Sequence, residues 1–388
     1  MSQVESNIKK AKQWLQQDVY PLWSRTGLDE EHGGFYEALS FTGEPLRGSR
    51  RAMVQSRQIY AFLTGAKLNC IDTSVAHKAV HHGVQSLIQS YSLPSGAFMH
   101  SVEEKGSPKN AVPDLYTQAF ALFGLAQAYS LTPTAELKDR ALHLYEYLRR
   151  ERAVPGGGYT ELDEKGQASY KSNPHMHLFE GALAWMQVDS APQWKELAAE
   201  LCSLCLNKFI HPSLHVLGEY FDNNWNPLLQ DGRFIYEPGH QYEWAWLLKL
   251  YEELTQQDLK AVRHQLFSLA EKHGVSTSRK VAYDEMWSDF TPKTLSSRFW
   301  PQCERIKAAC RLGTEVPSSE QAAYSQAADE ALETLFKFFA TPKPGLWFDM
   351  LSAEDVPQGH AAKASSLYHI VNALEEYVLW RPKLKGFH

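Results

Sequence analysis

Two short segments place a histidine three residues before a glutamate: HLFE runs from His177 to Glu180, and HQYE runs from His240 to Glu243. On a helix, side chains three positions apart share a face, so each carboxylate could fix the tautomer of its imidazole and support its protonation. Histidine suits proton transfer at neutral pH, because its ordinary pKa lies close to that pH. A single His-x-x-Glu is more often a hydrogen-bonded core histidine than a site. The two copies therefore carry weight only if they occupy equivalent positions in the chain.

Six short segments repeat along the chain, each with a glycine or aromatic start, an aromatic residue and an acidic or polar tail. They read HGGFYEALSFTGEP, SGAFMHSVEEKGSP, GGGYTELDEKGQA, LGEYFDNNWNP, VAYDEMWSDFTP and GLWFDMLSAEDVP. Their aligned aromatics are spaced by 63, 61, 61, 63 and 65 residues: Phe35, Phe98, Tyr159, Tyr220, Tyr283 and Phe348. The length of 388 residues alone would suggest two or three domains. The repeat instead predicts one closed array, a single domain over residues 1–388.

Two stretches of helical periodicity separate consecutive segments, and each segment has the turn signals of a short β-hairpin. The predicted pairs are 50–69 with 73–92, 113–130 with 135–152, 175–188 with 191–209, 238–254 with 257–274, and 295–312 with 318–340, while 5–23 and 364–380 would pair to close the ring. Segment 116–129 is apolar nearly all round, as a buried inner helix should be, whereas 136–150 keeps a polar face. An open solenoid would need polar capping repeats, which neither terminal helix resembles. The sequence therefore predicts an all-α fold, an (α/α)6 barrel with short β-hairpins at one end.

Polar residues recur about twenty positions after each repeat aromatic, where a hairpin should lead into the next inner helix. They are Arg57, Tyr116, Gln118, His177, Glu180, His240, Glu243, Gln302, Glu304 and His369. Buried ionisable groups are costly unless they are paired or used, so a ring of them at one level predicts a functional site at one mouth of the barrel. Among the tryptophans, Trp300 and Trp347 are the better candidates for a sugar platform, because they lie nearer that mouth than Trp244 and Trp246.

Composition excludes several classes of protein. With 44% hydrophobic and 22% charged residues the chain is not intrinsically disordered. A net charge of -6 without a basic run gives no footprint for a nucleic-acid partner. The longest apolar stretches are too short to cross a membrane, and the N-terminal MSQVESNIKKAKQW lacks the apolar region of a secretory signal. Five cysteines, an odd number in a long chain, indicate reduced thiols and a cytoplasmic location.

Metal binding is the main alternative use of the histidines. His175, His177, His240 and Glu243 might together ligate an ion, but no HExxH or paired Cys-x-x-Cys spacing supports it. Cys202 and Cys205 lie in an apolar helical segment and are expected to pack there. The glycines at 156–158 lack the frame of a phosphate-binding loop. We therefore expect neither a metal nor a cofactor.

Six motifs together resemble one enzyme family. They are QSRQIYAF around Arg57, SNPHMHLFEGALAW around His177, PGHQYEWAWLL around His240, RFWPQCERIKAA around Trp300, PGLWFDML around Trp347 and SSLYHIVNAL around His369. In order and spacing, from about residue 10 to residue 380, they resemble the N-acylglucosamine 2-epimerase superfamily, which includes cellobiose 2-epimerases and bacterial mannose isomerases. The resemblance implies an (α/α)6 barrel, in agreement with the repeat.

The resemblance also implies cofactor-independent proton transfer beside a sugar carbonyl, through a cis-enediol. The catalytic histidines would be His240 and His369, with His177 assisting and Arg57 near the carbonyl oxygen. We expect Glu243 to raise the basicity of His240. Substrate-binding positions would be Asn173, Glu180, Tyr116, Trp300, Gln302, Glu304 and Trp347. One departure is His175, where the family more often has asparagine; it would alter substrate preference if it faced the pocket.

The resulting hypothesis is an aldose–ketose isomerase acting on a free hexose, interconverting mannose and fructose. The alternative is a 2-epimerase for N-acylglucosamine or a cellobiose-type disaccharide, which needs the same proton-transfer groups. A more distant alternative is an inverting glycoside hydrolase using two of Asp114, Glu180, Glu243 and Glu304, although hydrolysis would not require three histidines. A helical scaffold would need no titratable groups on its inner helices. The expected partner is a small sugar, and the sequence leaves monomer and homodimer open.

Overall fold

Helices occupy most of the computed structural model, which describes residues 2–385; Met1 and residues 386–388 of the predicted domain lie outside the described residues. The first helical stretch is α1 (Gln3–Trp14), a π-helical turn (Leu15–Val19) and α2 (Tyr20–Thr26). Six inner helices follow at regular intervals: α3 (Ala52–Lys67), α5 (Leu115–Leu131), α7 (Ser172–Val188), α9 (Pro238–Thr255), α11 (Phe299–Leu312) and α13 (Leu367–Trp380). Between them lie α4 (Thr73–Tyr91), α6 (Ala135–Glu151), α8 (Pro192–Leu204), α10 (Lys260–Gly274) and α12 (Gln321–Phe338).

The inner helices contact one another in chain order, and α13 contacts α3, which closes the ring. Each of α4, α6, α8, α10 and α12 packs outside the inner helix that precedes it. The predicted closure is also confirmed, since α1 packs on α13 and Asn7 Nδ2 donates a hydrogen bond to Tyr377 Oη at 3.0 Å. The fold is therefore the predicted (α/α)6 barrel. Among residues 2–385, no helix is long and apolar enough to span a membrane.

Sequence patterning explains which helices lie inside. The helix α5 has buried residues on every face, because it packs on both neighbouring inner helices and on α6. In α6 the buried residues form a single stripe at helical spacing, and the charged residues face solvent: the stripe is Leu137, Ala141, Leu144 and Leu148.

Short strands join the repeats at one end of the barrel. The prediction of separate hairpins was incomplete, because the strand that enters most inner helices pairs antiparallel with the hairpin of the next repeat. The pairs are β2 (Arg50–Arg51) with β3 (Ser101–Val102), β6 (Ala168–Lys171) with β7 (Tyr220–Phe221), β8 (Ile235–Tyr236) with β9 (Met286–Trp287), β10 (Ser297–Arg298) with β11 (Met350–Leu351), and β13 (Ala361–Lys363) with β1 (Ala38–Ser40). The strands β4 (Pro108–Asn110), β5 (Glu161–Leu162) and β12 (Pro357–Gln358) complete hairpins with β3, β6 and β11. This pairing fixes the N-termini of the inner helices around a common mouth.

A repeated side-chain clamp ties each inner helix to its own hairpin. In four repeats a glutamine near the helix N-terminus bonds both the N–H and the C=O of one hairpin residue: Gln55 holds Phe35, Gln118 holds Phe98, Gln241 holds Leu217 and Gln302 holds Ala282. The repeat aromatics of the fourth and fifth segments are therefore not equivalent to Phe35, because the clamped residues lie three and one positions before them. Both amide atoms of Gln302 are used in this way, so the structure shows a structural role for it, and its binding of substrate stays a prediction.

The third repeat makes the same clamp with a histidine. His175 is fully buried, its Nε2 accepts from Tyr159 N at 2.9 Å, and its Nδ1 donates to Lys171 O at 2.7 Å. Burial lowers the pKa of His175 to about 4, so the ring is neutral and structural. It does not face the pocket, and its departure from the family pattern gives no reason to expect a changed substrate preference.

Candidate active site

The barrel has a cavity at each end of its axis. At the hairpin end, the N-terminal turns of the inner helices surround about 320 Å3. At the opposite end, the C-terminal turns surround about 570 Å3, lined in part by Trp246, Glu375 and Glu376. The smaller cavity contains most of the predicted groups, and we therefore take it as the candidate active site: Arg57, Tyr116, Asn173, His177, His240, Glu243, Trp300 and His369.

His240 lies in the first turn of α9, which begins at Pro238, a residue whose fixed φ suits a helix start. Its Nδ1 donates a hydrogen bond to Glu219 Oε2 at 2.9 Å, and Glu237 Oε2 is 3.9 Å away. Burial alone would lower the pKa of His240, but Glu219 and Glu237 outweigh it and raise the pKa to about 9. The imidazole is therefore protonated at neutral pH.

Glu243 does not hydrogen-bond His240, which bonds Glu219 instead, although Glu243 does add a smaller contribution to the raised pKa of His240, as predicted. It lies one turn deeper, and its Oε1 is 3.9 Å from His177 Nδ1. Within the described residues, neither oxygen of Glu243 has a hydrogen-bond partner. Burial, and then the charge of Glu304, raise the pKa of Glu243 well above its usual value, and its carboxyl group faces the cavity. The helix spacing of His-x-x-Glu failed here because the hairpin carboxylate of Glu219 lies closer to His240.

His177 does pair with the carboxylate predicted from its motif. Its Nδ1 donates to Glu180 Oε2 at 3.2 Å, and Tyr368 Oη donates to the other oxygen of Glu180. The ring packs on Phe120, with centroids 4.5 Å apart. Burial, and then the nearby charge of Arg57, lower the pKa of His177 well below its usual value. His177 is therefore a neutral group, and it lies deeper in the cavity than His240 and His369.

His369 lies in the first turn of α13 and donates from Nδ1 to Glu304 Oε1 at 2.9 Å. Burial lowers the pKa of His369 to about 3. The charges of Arg57 and Lys307 act in the same direction, whereas the hydrogen bond that His369 donates to Glu304 acts against them. Glu304 itself is fully buried; burial would raise its pKa, but Lys307 and His369 bring it below the usual value. His369 is thus neutral at neutral pH, with the lone pair on Nε2 available to the cavity.

Trp300 lies beside both His240 and His369. Its ring centroid is 4.9 Å from that of His240 and 5.8 Å from that of His369. On the other side of the cavity, Arg57 Nη2 donates to Tyr116 Oη at 2.6 Å and Nη1 donates to Ser365 O at 3.2 Å. A small molecule in this cavity would therefore meet an indole, a guanidinium, a neutral imidazole and an imidazolium.

Four predicted binding residues do not line this cavity: Gln302, held by its hairpin as described above, and Trp347, Glu304 and Glu180. Trp347 is 1% exposed and stacks on Trp23 with centroids 5.0 Å apart, so it is a core residue rather than a sugar platform. Glu304 is buried behind His369, and Glu180 lies behind His177 and borders the opposite cavity instead. Glu304 and Glu180 thus reach the cavity through His369 and His177, and direct binding of substrate by these residues stays a prediction without support from the cavity lining.

The sequence reasoning missed Glu219, although a repeat signal marks it. A titratable residue lies two positions after the clamped residue in five repeats: Glu37, His100, Glu161, Glu219 and Asp284. In four of them the carboxylate accepts backbone N–H groups at the start of an inner helix, as Glu219 Oε1 does from Glu237 N at 3.3 Å. Because the fourth repeat was aligned on Tyr220 instead of Leu217, Glu219 did not align with the equivalent residues of the other repeats.

Three sets of side chains have potential ligand atoms within 4.8 Å of one another: His177, Glu180 and Glu243; Glu219, Glu237 and His240; and Glu243, Glu304 and His369. In each set a histidine Nδ1 already donates to a carboxylate, which is the geometry of an acid/base pair. In the third set the Lys307 ammonium is also 2.6 Å from Glu304 Oε2 and supplies positive charge. The expectation that no metal is needed stays a prediction.

Comparison with known proteins identifies the family. Residues 34–373 match the description N-acylglucosamine 2-epimerase (GlcNAc 2-epimerase). A mannose-6-phosphate isomerase of Rhizobium meliloti is 35% identical over 94% of both chains. The cellobiose 2-epimerase structure from Bacillus thermoamylovorans has a TM-score of 0.86 at 18% identity, covering 96% of this chain and 99% of that one. A D-mannose isomerase structure has a TM-score of 0.82 at 21% identity, covering 97% and 96%. The chain belongs to the N-acylglucosamine 2-epimerase family, whose named relatives are sugar isomerases and epimerases.

Proposed function

We propose that this family member is an aldose–ketose isomerase that interconverts mannose and fructose through a cis-enediol. The observation that carries the proposal is the opposite protonation of two histidines in one cavity. The pKa of His240 is raised to about 9 and that of His369 is lowered to about 3, so an acid and a base coexist at neutral pH. Neighbouring groups whose pKa values are driven apart commonly mark the acid and the base of a reaction.

In the proposed reaction, His369 Nε2 removes the proton from C2 of the open-chain aldose. The C2–H electron pair forms the C1=C2 bond, and the carbonyl π electrons move to O1. Arg57 is the preorganised donor for this oxyanion, and protonated His240 donates during ring opening or to the developing enediol. Once O1 has taken the proton from His240, the O2 hydroxyl gives its proton to the now neutral His240 and its O–H electrons form the C2=O bond. The C1=C2 electron pair then takes the proton from His369 at C1, which gives the ketose and restores both histidines.

The barrel geometry supports an anionic intermediate at this end. The inner helices point their N-termini toward the cavity, and a helix N-terminus carries a partial positive charge, which hairpin carboxylates partly offset at α3, α5, α9 and α11. An enediolate gains from this field, whereas the neutral sugar gains little. The helix ends therefore favour the transition state over the ground state, which is what lowers a barrier.

Cavity size and charge support a free hexose as the substrate. A volume of about 320 Å3 lies at the small end of ligand pockets, which span roughly 300–1,000 Å3. Four arginine and lysine side chains line the cavity, and three of them already face a carboxylate. The pairs are Arg51 with Glu37 at 2.8 Å, Arg298 with Glu237 at 3.3 Å, and Lys363 with Asp349 at 2.8 Å. The fourth, Arg57, bonds Tyr116 and Ser365 and is assigned to the carbonyl oxygen in the proposed reaction, so a phosphate group would have to compete with that oxygen for it.

The test is incubation in heavy water with mannose, mannose 6-phosphate, N-acetylglucosamine and cellobiose as separate substrates. The proposal expects fructose from mannose, with deuterium at C1, and a kcat/KM for mannose above that for mannose 6-phosphate. Glucose carrying deuterium at C2 would instead show a 2-epimerase. A preference for the phosphorylated sugar would overturn the substrate assignment and leave the chemistry intact.

The hydrolase alternative has less support from the geometry. An inverting glycosidase needs two carboxyl groups that face the scissile bond from opposite sides. Glu180 and Glu304 are instead buried behind histidines, and Glu243 is the one member of that trio that lines the cavity. Release of reducing sugar from an aryl glycoside would contradict the isomerase proposal.

We also propose a cytoplasmic location. All five cysteines are free and buried, as reduced thiols would be: Cys70, Cys202, Cys205, Cys303 and Cys310. Localisation of a tagged chain in its native host tests this, and light scattering of the purified protein decides between monomer and homodimer.

A further inference from the structure

Lys307 is a cation buried at the centre of the barrel. It lies on α11, three residues after Glu304, and both side chains are fully buried. Its Nζ is 2.6 Å from Glu304 Oε2 and 3.8 Å from the centre of the Trp246 ring. Burial of a lone ammonium is costly, so this position must be stabilised by the charges around it.

Those charges come from three inner helices. Glu180 on α7, Glu243 on α9 and Glu304 on α11 all raise the pKa of Lys307 against the effect of burial. The pKa values of the three glutamates differ: those of Glu180 and Glu243 are raised, whereas that of Glu304 is lowered. Lys307 and Glu304 therefore form an ion pair at 2.6 Å, with the carboxyl groups of Glu180 and Glu243 close enough to act on the ammonium. From α13, His369 and Glu376 also face this ammonium.

The ionisation of Glu304 decides which nitrogen of His369 carries the proton. An ionised carboxylate can only accept, so it takes the hydrogen bond from Nδ1–H and leaves the lone pair on Nε2. A protonated Glu304 could instead donate to Nδ1, which would place the remaining ring proton on Nε2. A histidine in that second tautomer cannot remove a proton from a sugar in the cavity.

We infer that Lys307 is a positioning residue for proton transfer: its ammonium keeps Glu304 ionised and thereby holds His369 in the tautomer whose Nε2 faces the substrate as a base. The inference deepens the proposed function and rests on it for its kinetic part. Its structural part, the tautomer of His369, stands independently of any activity.

The structural part is tested by nitrogen-15 NMR of the histidine-labelled protein, with His369→Asn used to assign the His369 signals. The inference expects a protonated Nδ1 and an unprotonated Nε2 in the wild-type protein at neutral pH. In Lys307→Met the proton should move to Nε2. A wild-type His369 protonated on Nε2 would overturn the inference whether or not any variant folds.

The kinetic part compares Lys307→Met with Arg305→Met. Arg305 is a buried cation on the same helix, but it pairs with Glu271 and Glu330 away from the histidines. We expect Lys307→Met to lower kcat for mannose by about a hundredfold with KM changed less than about threefold, the scale of a lost general base. Arg305→Met should lower the unfolding temperature and leave kcat within about threefold. Equal losses of kcat in both variants would show a merely structural role and overturn the inference.

A double-mutant cycle separates this route from others. If Lys307 acts through Glu304, then Lys307→Met in a Glu304→Gln background should add less than about threefold to the loss of kcat. A loss as large as that in the wild-type background would contradict the inference. A wild-type protein with the expected tautomer but inactive on every sugar would overturn the proposed function and leave the role of Lys307 intact.

Discussion

The surroundings of His240 and of His369 are alike in their first contact and opposite in their result. Both imidazoles are buried, both lie in the first turn of an inner helix, and both donate from Nδ1 to a glutamate at 2.9 Å. Yet the pKa of His240 is raised to about 9 and that of His369 is lowered to about 3. The hydrogen-bonded carboxylate alone therefore does not determine the protonation state of these two histidines.

The difference lies in the charged groups that surround each histidine–glutamate pair. Around His240 a second carboxylate, Glu237, adds to the charge of Glu219 and stabilises the imidazolium. Around His369 the charge of Glu304 is already neutralised by Lys307, and Arg57 adds a further positive charge. Like charges disfavour the protonated ring and opposite charges favour it. Two copies of one repeat unit thus become an acid and a base through their neighbours.

The largest effect should come from removal of the base. We expect His369→Asn to lower the rate of solvent deuterium exchange at C2 of mannose by at least about a thousandfold, because general base catalysis is lost without loss of core volume. Sugar binding, measured by calorimetry, should be largely retained. Near-normal exchange would show that His369 is not the proton carrier, and His177 would become the candidate.

Removal of the acid should have a smaller effect on the same measurement. We expect His240→Asn to lower turnover of mannose by about a hundredfold, since ring opening loses its proton donor. Exchange should recover when the substrate is a short 2-hydroxyaldehyde that cannot form a pyranose. If exchange on that substrate falls as far as it does with mannose, His240 takes part in the enolisation step itself.

A third variant makes the surroundings of His240 more like those of His369. Glu219→Gln removes the first carboxylate that stabilises the His240 imidazolium, so the pKa of His240 should fall from about 9. Activity that requires protonated His240 is lost as the pH rises through the pKa of this histidine. With a lower pKa that loss should begin at a lower pH, so the basic limb of kcat/KM should move down by about one to two pH units. An unmoved basic limb would show that another group controls it.

Sequence reasoning succeeded where a pattern is local or periodic. The helix pairs, ring closure and level of the site follow from a repeat of about sixty residues, and the cavity position of His240 and His369 follows from that level. It failed where the decisive contact crosses between elements. The assignment of Glu243 to His240 used helix spacing, whereas the nearer carboxylate, Glu219, comes from a hairpin.

Gln302 and Trp347 show a second kind of failure. Their positions in the repeat placed both residues near the mouth of the barrel. In the structure Gln302 hydrogen-bonds the backbone of its own hairpin, and Trp347 packs on the first helical stretch. The residue types and their positions in the repeat suited a pocket, but the side chains do not point into it. Side-chain direction depends on the rotamer and on packing against other elements, which a single sequence does not display.

The smallest expected effect concerns metal removal. Glu304 and His369 are close enough to Glu243 to hold an ion, but Lys307 already supplies a positive charge at Glu304, and a divalent cation there would meet electrostatic repulsion. We therefore expect dialysis against a strong chelator to leave kcat and KM for mannose unchanged within about twofold, since the barrier is lowered by proton transfer rather than by a Lewis acid. The control is the same dialysis with the chelator saturated by calcium, which tests for loss through handling. Loss of activity on chelation, with recovery on addition of zinc, manganese or cobalt, would mean that the region around His369 differs from that around His240 by an ion as well as by Lys307.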